Sequence, residues 1–239
     1  METNTSPEPP ENAPASAPSR VRRGNAEDHQ RLQAAIVAAA FELFQQGGAE
    51  AITMQALAEK LGRSAMSLYR YFDSKNTLLL EIWRVAYAEL LLEMRDRVAQ
   101  HRTPHERHRA LLESFLDFWE GRPDYYELVY KTSAPGVPVD QKLPEALMPS
   151  YGDIIALATS VTKELADELG KGYERITVAT EMRLAFLMGY LQARFANQRY
   201  PWRDFVVLRK ACVDATMKSV VQCLADSDST QVEGQREAA

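Results

Sequence analysis

The sequence predicts an all-α protein, and three features of the 239-residue chain support this. Large apolar residues recur three and four positions apart, which is the spacing of one face of a helix. No stretch keeps the strict alternation of apolar and polar residues that is typical of a strand. Glycine, proline and helix-capping residues divide the apolar pattern into segments of helical length. We therefore expect helices joined by turns.

Both ends of the chain are predicted to be disordered tails. The N-terminal tail, residues 1–25, is rich in Pro, Glu, Ser and Ala and has almost no large apolar side chain, so folding would not offset its loss of entropy. It contains a basic group formed by Arg20, Arg22 and Arg23. Residues 226–239 are also polar and form the second predicted tail.

Three helices are predicted in residues 26–75. The first ends at the glycine pair 47–48, since Gly favours the end of a helix. Thr53 is a candidate N-cap for the second helix, and the third is expected over Ser64–Phe72, with Ser64 as its cap. The tight turn at Gly62 between the second and third helices is typical of a helix-turn-helix.

The rest of the folded part, residues 76–225, is predicted to be a bundle of helices. Asp73 is a candidate N-cap for a long fourth helix that ends near Ala99. Residues 131–143 contain two prolines and a glycine and form the longest internal loop. Further helices are expected at about 104–120, 123–130, 144–169, 173–198 and 203–225.

The third helix has side chains suited to the major groove of DNA. Its start carries the small residues Ser64, Ala65 and Ser67, which allow close approach, and a serine hydroxyl can bind a base edge. Lys75 lies in the first turn of the next helix, where a cation opposes the helix dipole unless an anion faces it. A DNA phosphate would supply that anion. Residues 26–75 are therefore predicted to be a DNA-binding domain.

This part of the sequence resembles the TetR/AcrR family of bacterial regulators. The resemblance covers residues 36–79, and its most specific part is the Leu-Tyr-Arg-Tyr-Phe-Asp-Ser-Lys run at 68–75. It implies that Thr53 caps the second helix and touches a phosphate. It also implies that Tyr69 and Tyr71 contact the DNA backbone and that Lys75 binds a phosphate.

Two positions depart from the family pattern. The family more often has an apolar residue at the position of Arg63, and Arg63 could add a base or phosphate contact. It usually has a small residue at the position of Met66, and Met66 could touch a thymine methyl group. Tyr69 could instead belong to the core, and Arg70 could be a solvated surface charge. The predicted DNA-binding residues are Thr53, Arg63, Ser64, Ala65, Met66, Ser67, Tyr69, Arg70, Tyr71 and Lys75.

The basic group before the first helix has two interpretations. It resembles the basic arms of other helix-turn-helix proteins, which contact phosphates or the minor groove. Alternatively, it only makes the tail soluble. The chain as a whole has a formal net charge of -5, so any attraction to DNA must come from a local basic surface.

The C-terminal helices are predicted to form a homodimer. The helix over Ile176–Phe195 is apolar nearly all round, so both of its sides should be buried, and Gly189 would let another helix approach closely. The last helix offers an apolar seam that suits a four-helix interface. The alternative is the core of a monomer. The predicted seam consists of Phe205, Leu208, Cys212, Ala215 and Val220.

Aromatic residues in the same region predict a site for a small, largely apolar effector. Arg183 stands out within its apolar helix, because a buried Arg needs a partner. Glu181, a partner subunit or an anionic ligand could fill that role. The predicted ligand-binding residues are Trp83, Tyr87, Trp119, Tyr126, Met182, Arg183, Phe186 and Tyr190, with Tyr125 and Tyr130 as further candidates.

No cofactor or metal is predicted. His101, His105 and His108 have helical spacing, but Pro104 interrupts them and no Asp or Cys completes a ligand set. The two cysteines, Cys212 and Cys223, are expected to be small buried residues, with a redox switch between subunits as the alternative.

The expected function is a dimeric, ligand-responsive transcriptional regulator of the repressor type that binds a palindromic operator. No apolar run is long enough to span a membrane, and no signal-peptide core is present, so we expect a cytoplasmic location. One alternative is a DNA-binding regulator without a small ligand. An all-helical enzyme is the other, and against it stands the absence of a Gly-rich phosphate loop, a nucleophile elbow and a His-Glu-x-x-His motif.

Overall fold

The computed structural model describes residues 20–131, 148–197 and 199–226, and all regular structure within these ranges is helical. The predicted tail over 1–19, most of the predicted loop over 131–143 with the helix start near 144, and the tail after 226 lie outside the described residues. The helices are α1 (Arg20–Ala51), α2 (Met54–Lys60), α3 (Ala65–Leu68), α4 (Lys75–Ala99), α5 (Pro104–Gly121), α6 (Pro123–Tyr126), α7 (Met148–Glu168), α8 (Ile176–Phe195) and α9 (Phe205–Ala225).

Helix α1 is longer at its start than predicted. It begins at Arg20, so the expectation of a disordered tail through residue 25 is wrong for its last six residues. Three of these six residues are Arg, which has a high helix propensity, and each residue added to an existing helix gains a hydrogen bond. The glycine pair does break the helix, since Gly47 and Gly48 both leave helical geometry and Gly48 has a φ of 67°.

Helices α2 and α3 form the predicted helix-turn-helix. Thr53 caps α2 by accepting a hydrogen bond from the backbone of Ala56, and Ser64 caps α3. Gly62 has a φ of 62°, a left-handed conformation that Gly adopts without a steric penalty. The third helix is shorter than expected, because regular helix ends at Leu68 rather than Phe72. Aromatic residues such as those that follow lose side-chain freedom in a helix, which favours a turn there.

Helix α4 connects the N-terminal helices with the rest of the molecule. Its N-cap is Ser74, whose hydroxyl accepts from the backbone of Thr77, and not Asp73 as predicted. The two residues are similarly good caps, so local preference does not separate them. Buried residues recur along the whole helix, which therefore packs at its start against α1 and further along against α5 and α7.

The C-terminal body consists of α5 to α9 packed around the second half of α4. Helix α5 begins with Pro104 and a complete capping box between Thr103 and Glu106. After α6 the chain makes a π-helical turn over Glu127–Lys131. Helices α8 and α9 pack against each other, and both are shorter at one or both ends than predicted. None of the helices in the described ranges has the length and hydrophobicity that a membrane crossing requires.

Candidate nucleic-acid interface and effector region

The start of α3 is rigid and faces solvent. Ser64 Oγ accepts from the backbone nitrogen of Ser67 at 3.3 Å, and Ser67 Oγ donates to the carbonyl of Ser64 at 2.7 Å. Met66 is 78% exposed and Tyr69 49% exposed, so the alternative of a core role for Tyr69 is wrong. Beneath this surface, Leu68 and Phe72 are buried and join α3 to the core of the N-terminal helices. The arrangement presents small and apolar groups outward from a capped helix.

A basic crevice lies beside α3, on the side of α1. Its volume is about 680 Å³, and two arginines, Arg63 and Arg70, line it together with one acidic residue, Asp28. On its wall the rings of His29 and Tyr71 stack with centroids 4.5 Å apart and an angle of 25° between the planes. Sequence reasoning did not single out His29, because it lies about 40 residues before Tyr71 and only folding brings the two rings together.

Lys75 is held at the junction of α1 and α4. Its ammonium group donates to the carbonyl oxygen of Ala49, in the segment that follows the glycine break. A carbonyl oxygen thus offsets part of the unfavourable effect of a cation at the start of α4. Thr53, four residues after Ala49, is exposed at the start of α2. The predicted contact between Lys75 and a DNA phosphate stays a prediction. The structure adds the contact of Lys75 with Ala49.

Most of the predicted effector residues are buried together in the body. Tyr87, Trp119 and Tyr126 are buried, and the Trp119 ring makes edge contacts with both tyrosines. Burial raises the pKa of Tyr87 to about 12, so its hydroxyl keeps its proton. Trp83 is also buried on α4. Further aromatic rings complete this aromatic cluster, namely Phe115, Phe118, Tyr125, Tyr130, Tyr151 and Phe195.

Besides Arg183, which is described below, three of the predicted effector residues lie elsewhere. Phe186 is 41% exposed on α8, so it does not belong to the buried aromatic cluster, and its contact with an effector stays a prediction. Met182 packs against a separate apolar cluster at the far end of α8 and α9. Tyr190 is buried, but its hydroxyl donates to Glu120, which also pairs with Arg209. Helical position explains these differences, because α8 turns successive residues towards different neighbours.

Arg183 is a buried cation at the junction of α5, α7 and α8. Its Nη1 donates to the carbonyl of Ala158 at 3.3 Å and to Thr162 Oγ1 at 3.1 Å, and lies 3.5 Å from His108 Nε2. Burial lowers the pKa of Arg183 to about 10, so the guanidinium remains charged at neutral pH. Burial, together with the charge of Arg183, lowers the pKa of His108 to about 3.

Helix α6 links the aromatic cluster to the N-terminal helices. Gln45 Nε2 donates to Asp124 Oδ2 at 2.9 Å, and the rings of Phe41 and Tyr125 lie 4.3 Å apart. Beside these contacts a crevice of about 810 Å³ separates α1 from α4. The N-terminal helices are therefore attached to the body at two places, α4 and α6.

The outer face of the α8–α9 pair is apolar and contains small residues. Val207 is 64% exposed, and Val178 is exposed on α8. Of the predicted seam, Ala215 faces solvent, whereas Val220 is buried in the core of its own chain. The small exposed residues of this face, which we call the α8–α9 face, are Ala185, Gly189, Ala211 and Ala215.

The histidines and cysteines show no metal-binding geometry in the described ranges. No group of three or more His, Cys, Asp or Glu side chains there could hold a metal ion. His108 is buried, whereas His105 lines a different crevice. Both Cys212 and Cys223 are free thiols, and Cys223 is the buried one.

Comparison with known proteins adds two kinds of relative. Residues 36–82 match the tetR family of bacterial regulatory proteins. The chain is 27% identical over 161 residues to the HTH-type transcriptional activator FasR of Mycolicibacterium smegmatis, which covers 66% of this chain and 74% of FasR.

Two solved structures share the fold. The transcriptional regulator FadR from Bacillus subtilis, in complex with stearoyl-CoA, has a TM-score of 0.60 at 14% identity, over 77% of this chain and 96% of that one. A transcriptional regulator of the TetR/AcrR family from Thermobifida fusca has a TM-score of 0.59 at 21% identity, over 78% of this chain and 97% of that one.

Proposed function

We propose that the chain is a ligand-responsive repressor of transcription of the tetR family of bacterial regulatory proteins, which residues 36–82 match. In this proposal a homodimer binds a palindromic operator, and a small, largely apolar molecule releases it. A protein that acts on operator DNA works in the cytoplasm, which is the location we propose. Its role is regulatory, not enzymatic.

The observation that carries the DNA-binding role is the exposed, capped start of α3 beside the basic crevice. Ser64 and Ser67 hold the backbone there, while Met66 and Tyr69 point into solvent. A recognition helix contacts base edges through its N-terminal residues. Cations of the crevice would bind the phosphates on either side. We therefore propose base contacts from α3 and phosphate contacts from Arg63 and Arg70.

The α8–α9 face supports the proposed dimer. Exposed apolar side chains beside small residues allow two helix pairs to approach closely and bury their apolar surfaces. A two-fold axis through this face would make a four-helix interface. Such a dimer would present two α3 helices to two half-sites of the operator.

The aromatic cluster supports the proposed effector. It is connected to the N-terminal helices through α4 and α6, so a change in its packing would reach α1. FadR, with a similar fold, was solved with stearoyl-CoA, and an effector with an apolar chain suits the aromatic and aliphatic side chains of this cluster. A regulator that responds to no small molecule is the alternative.

We propose that the protein represses transcription, although the relative FasR is named an activator. A repressor blocks transcription when bound, and effector binding relieves the block. A reporter gene placed behind the protein's own operator tests this. Expression that falls when the protein is supplied supports repression, whereas expression that rises shows an activator.

Operator binding is tested with full-length protein and fluorescently labelled DNA in an anisotropy titration at several salt concentrations. Removing a cation that neutralises a phosphate weakens binding to all sequences and lowers the salt slope by about one for each such cation. We expect R63Q and R70Q to do so. R95Q is the matched control, because Arg95 pairs with Asp153 on the body and its replacement removes the same charge. Wild-type protein without salt-dependent DNA binding would rule the function out.

A further inference from the structure

Arg183 lacks a negative partner in the part of the chain that the structure describes. The side chain is 5% exposed, and its three polar neighbours are a carbonyl, a hydroxyl and an imidazole, all neutral. Glu181 does not supply the charge, because it is exposed and two residues away, where side chains of a helix do not face each other. The pairing with Glu181 that the sequence allowed is thus wrong.

Three of the other carboxylates on the helices of the body already have cationic partners. Glu164 on α7 lies 3.0 Å from Arg107, and Asp214 on α9 lies 2.7 Å from Arg109. Glu120 at the end of α5 pairs with Arg209. A cation buried without a counter-charge is costly, because no ion-pair attraction offsets the loss of its hydration.

His108 adds a second unmatched donor at the same junction. A guanidinium only donates hydrogen bonds, so Nε2 of His108 is the acceptor in the contact with Arg183. The proton of the neutral ring is then on Nδ1. That atom is buried and has no hydrogen-bond partner within the described ranges. The junction therefore has a positive charge without a counter-charge and one donor, Nδ1 of His108, without an acceptor.

From these observations we infer that the body contains a binding site for a carboxylate, with Arg183 as its cationic residue and His108 beside it. This inference rests on the proposed function, because it defines the chemical class of the effector. Arg suits a carboxylate, since its planar fork can donate two parallel hydrogen bonds to the two oxygens. Thr162 and the Ala158 carbonyl accept from Nη1 and so orient the guanidinium.

The buried face of α5 indicates where the apolar part of the ligand would lie. His108, Leu112, Phe115 and Trp119 are spaced four, three and four residues apart, and all are buried. They cover about 16 Å of the helix axis, at 1.5 Å per residue. The apolar part of the effector follows this face from Arg183 towards the aromatic cluster. The effector is thus an amphiphilic carboxylate of the fatty-acid type.

The test is calorimetric titration of the full-length dimer with dodecanoate and with dodecanol, a neutral molecule of the same chain length. We expect dodecanoate to bind at least roughly tenfold more tightly, which is the effect of one good charged contact. R183Q should abolish this preference, and R183K should retain part of it because the charge remains. R95Q, which removes a surface guanidinium, should leave it unchanged.

A second variant tests the inference in case R183Q does not fold. T162V removes the hydroxyl that orients Arg183 but keeps the charge, and it should reduce the preference while circular dichroism stays that of the wild type. Equal binding of both compounds, no binding of dodecanoate, or an undiminished preference in a folded R183Q would overturn the inference. Operator anisotropy separates the two proposals. Dodecanoate that binds through Arg183 without releasing DNA leaves the site standing and refutes the effector role.

Discussion

Lys75 at the start of α4 donates a hydrogen bond to the carbonyl of Ala49 at the end of α1. The acceptor lies just after the glycine break, so the contact ties the end of α1 to the start of α4, and these two helices flank the helix-turn-helix. Lys75 is only partly exposed, which strengthens a charged hydrogen bond. The residue therefore has a structural role in the DNA-binding domain, whatever it contacts in the complex with DNA.

We predict that K75Q lowers the free energy of unfolding by about 1 kcal/mol, because it removes a charged hydrogen bond at a half-buried site. The variant should also bind all DNA sequences more weakly, with a salt slope lower by about one per half-site. Chemical denaturation and anisotropy measure the two effects separately. A lower stability with an unchanged salt slope would remove Lys75 from the DNA contacts.

The cap of α3 allows a matched comparison. S64A removes the side chain that accepts from Ser67, and T103A removes the equivalent cap of α5, remote from the proposed interface. Each loss of a cap costs about 1 kcal/mol of stability. We predict that both variants unfold at similarly lower denaturant concentration, but that only S64A weakens operator binding. Equal operator affinity of the two variants would contradict a recognition role for α3.

The α8–α9 face is tested by one charge placed on it. V207E places a carboxylate on the proposed interface, where it would be buried without a partner, so we predict a monomer in analytical ultracentrifugation at micromolar concentration. L92E makes the same change at another exposed apolar residue, 61% exposed on α4, and should remain dimeric. A wild-type monomer, or a V207E variant that stays dimeric, would exclude this interface.

His108 makes stability depend on pH in a defined direction. Its pKa is about 3 in the folded protein against an ordinary value of 6.5, mainly through burial. Between these values the unfolded chain binds the extra proton, so stability falls as the pH drops below about 6.5. We predict a loss of about 2 kcal/mol between about pH 7 and pH 5 from this group. H108N should remove that part of the pH dependence in denaturation curves, and H105Q, on the exposed side of α5, should not.

Helix α4 is the element that we expect to transmit effector binding. It begins at the junction with α1 and runs into the body, so a small tilt would change the separation of two α3 helices from the one turn of DNA, about 34–36 Å, that the half-sites require. Spin labels at Met66, in a variant without the native cysteines, measure that distance. If a compound dissociates DNA and the distance distribution stays unchanged, the tilt is refuted. The effector would then act on DNA binding through a change in the conformational order of the protein.

The sequence alone determined the helical elements and the DNA-binding motif of this protein. Thr53, Gly62, Ser64 and Pro104 act through neighbours only a few residues away, so their caps and turns could be predicted and are confirmed. The boundaries were less certain, as Asp73 and Arg20 show, because adjacent residues have similar local preferences.

Only the tertiary structure decided which side chains meet. The stacking of His29 on Tyr71, the contact of Lys75 with Ala49, and the exposure of Phe186 depend on how separate helices pack. An apolar pattern specifies that one face of a helix is buried. Every helix of such a chain has a similar face, so the pattern does not say which helix packs against which. The neutral surroundings of Arg183 come from three helices that are far apart in the chain, and burial gives those contacts their energetic weight.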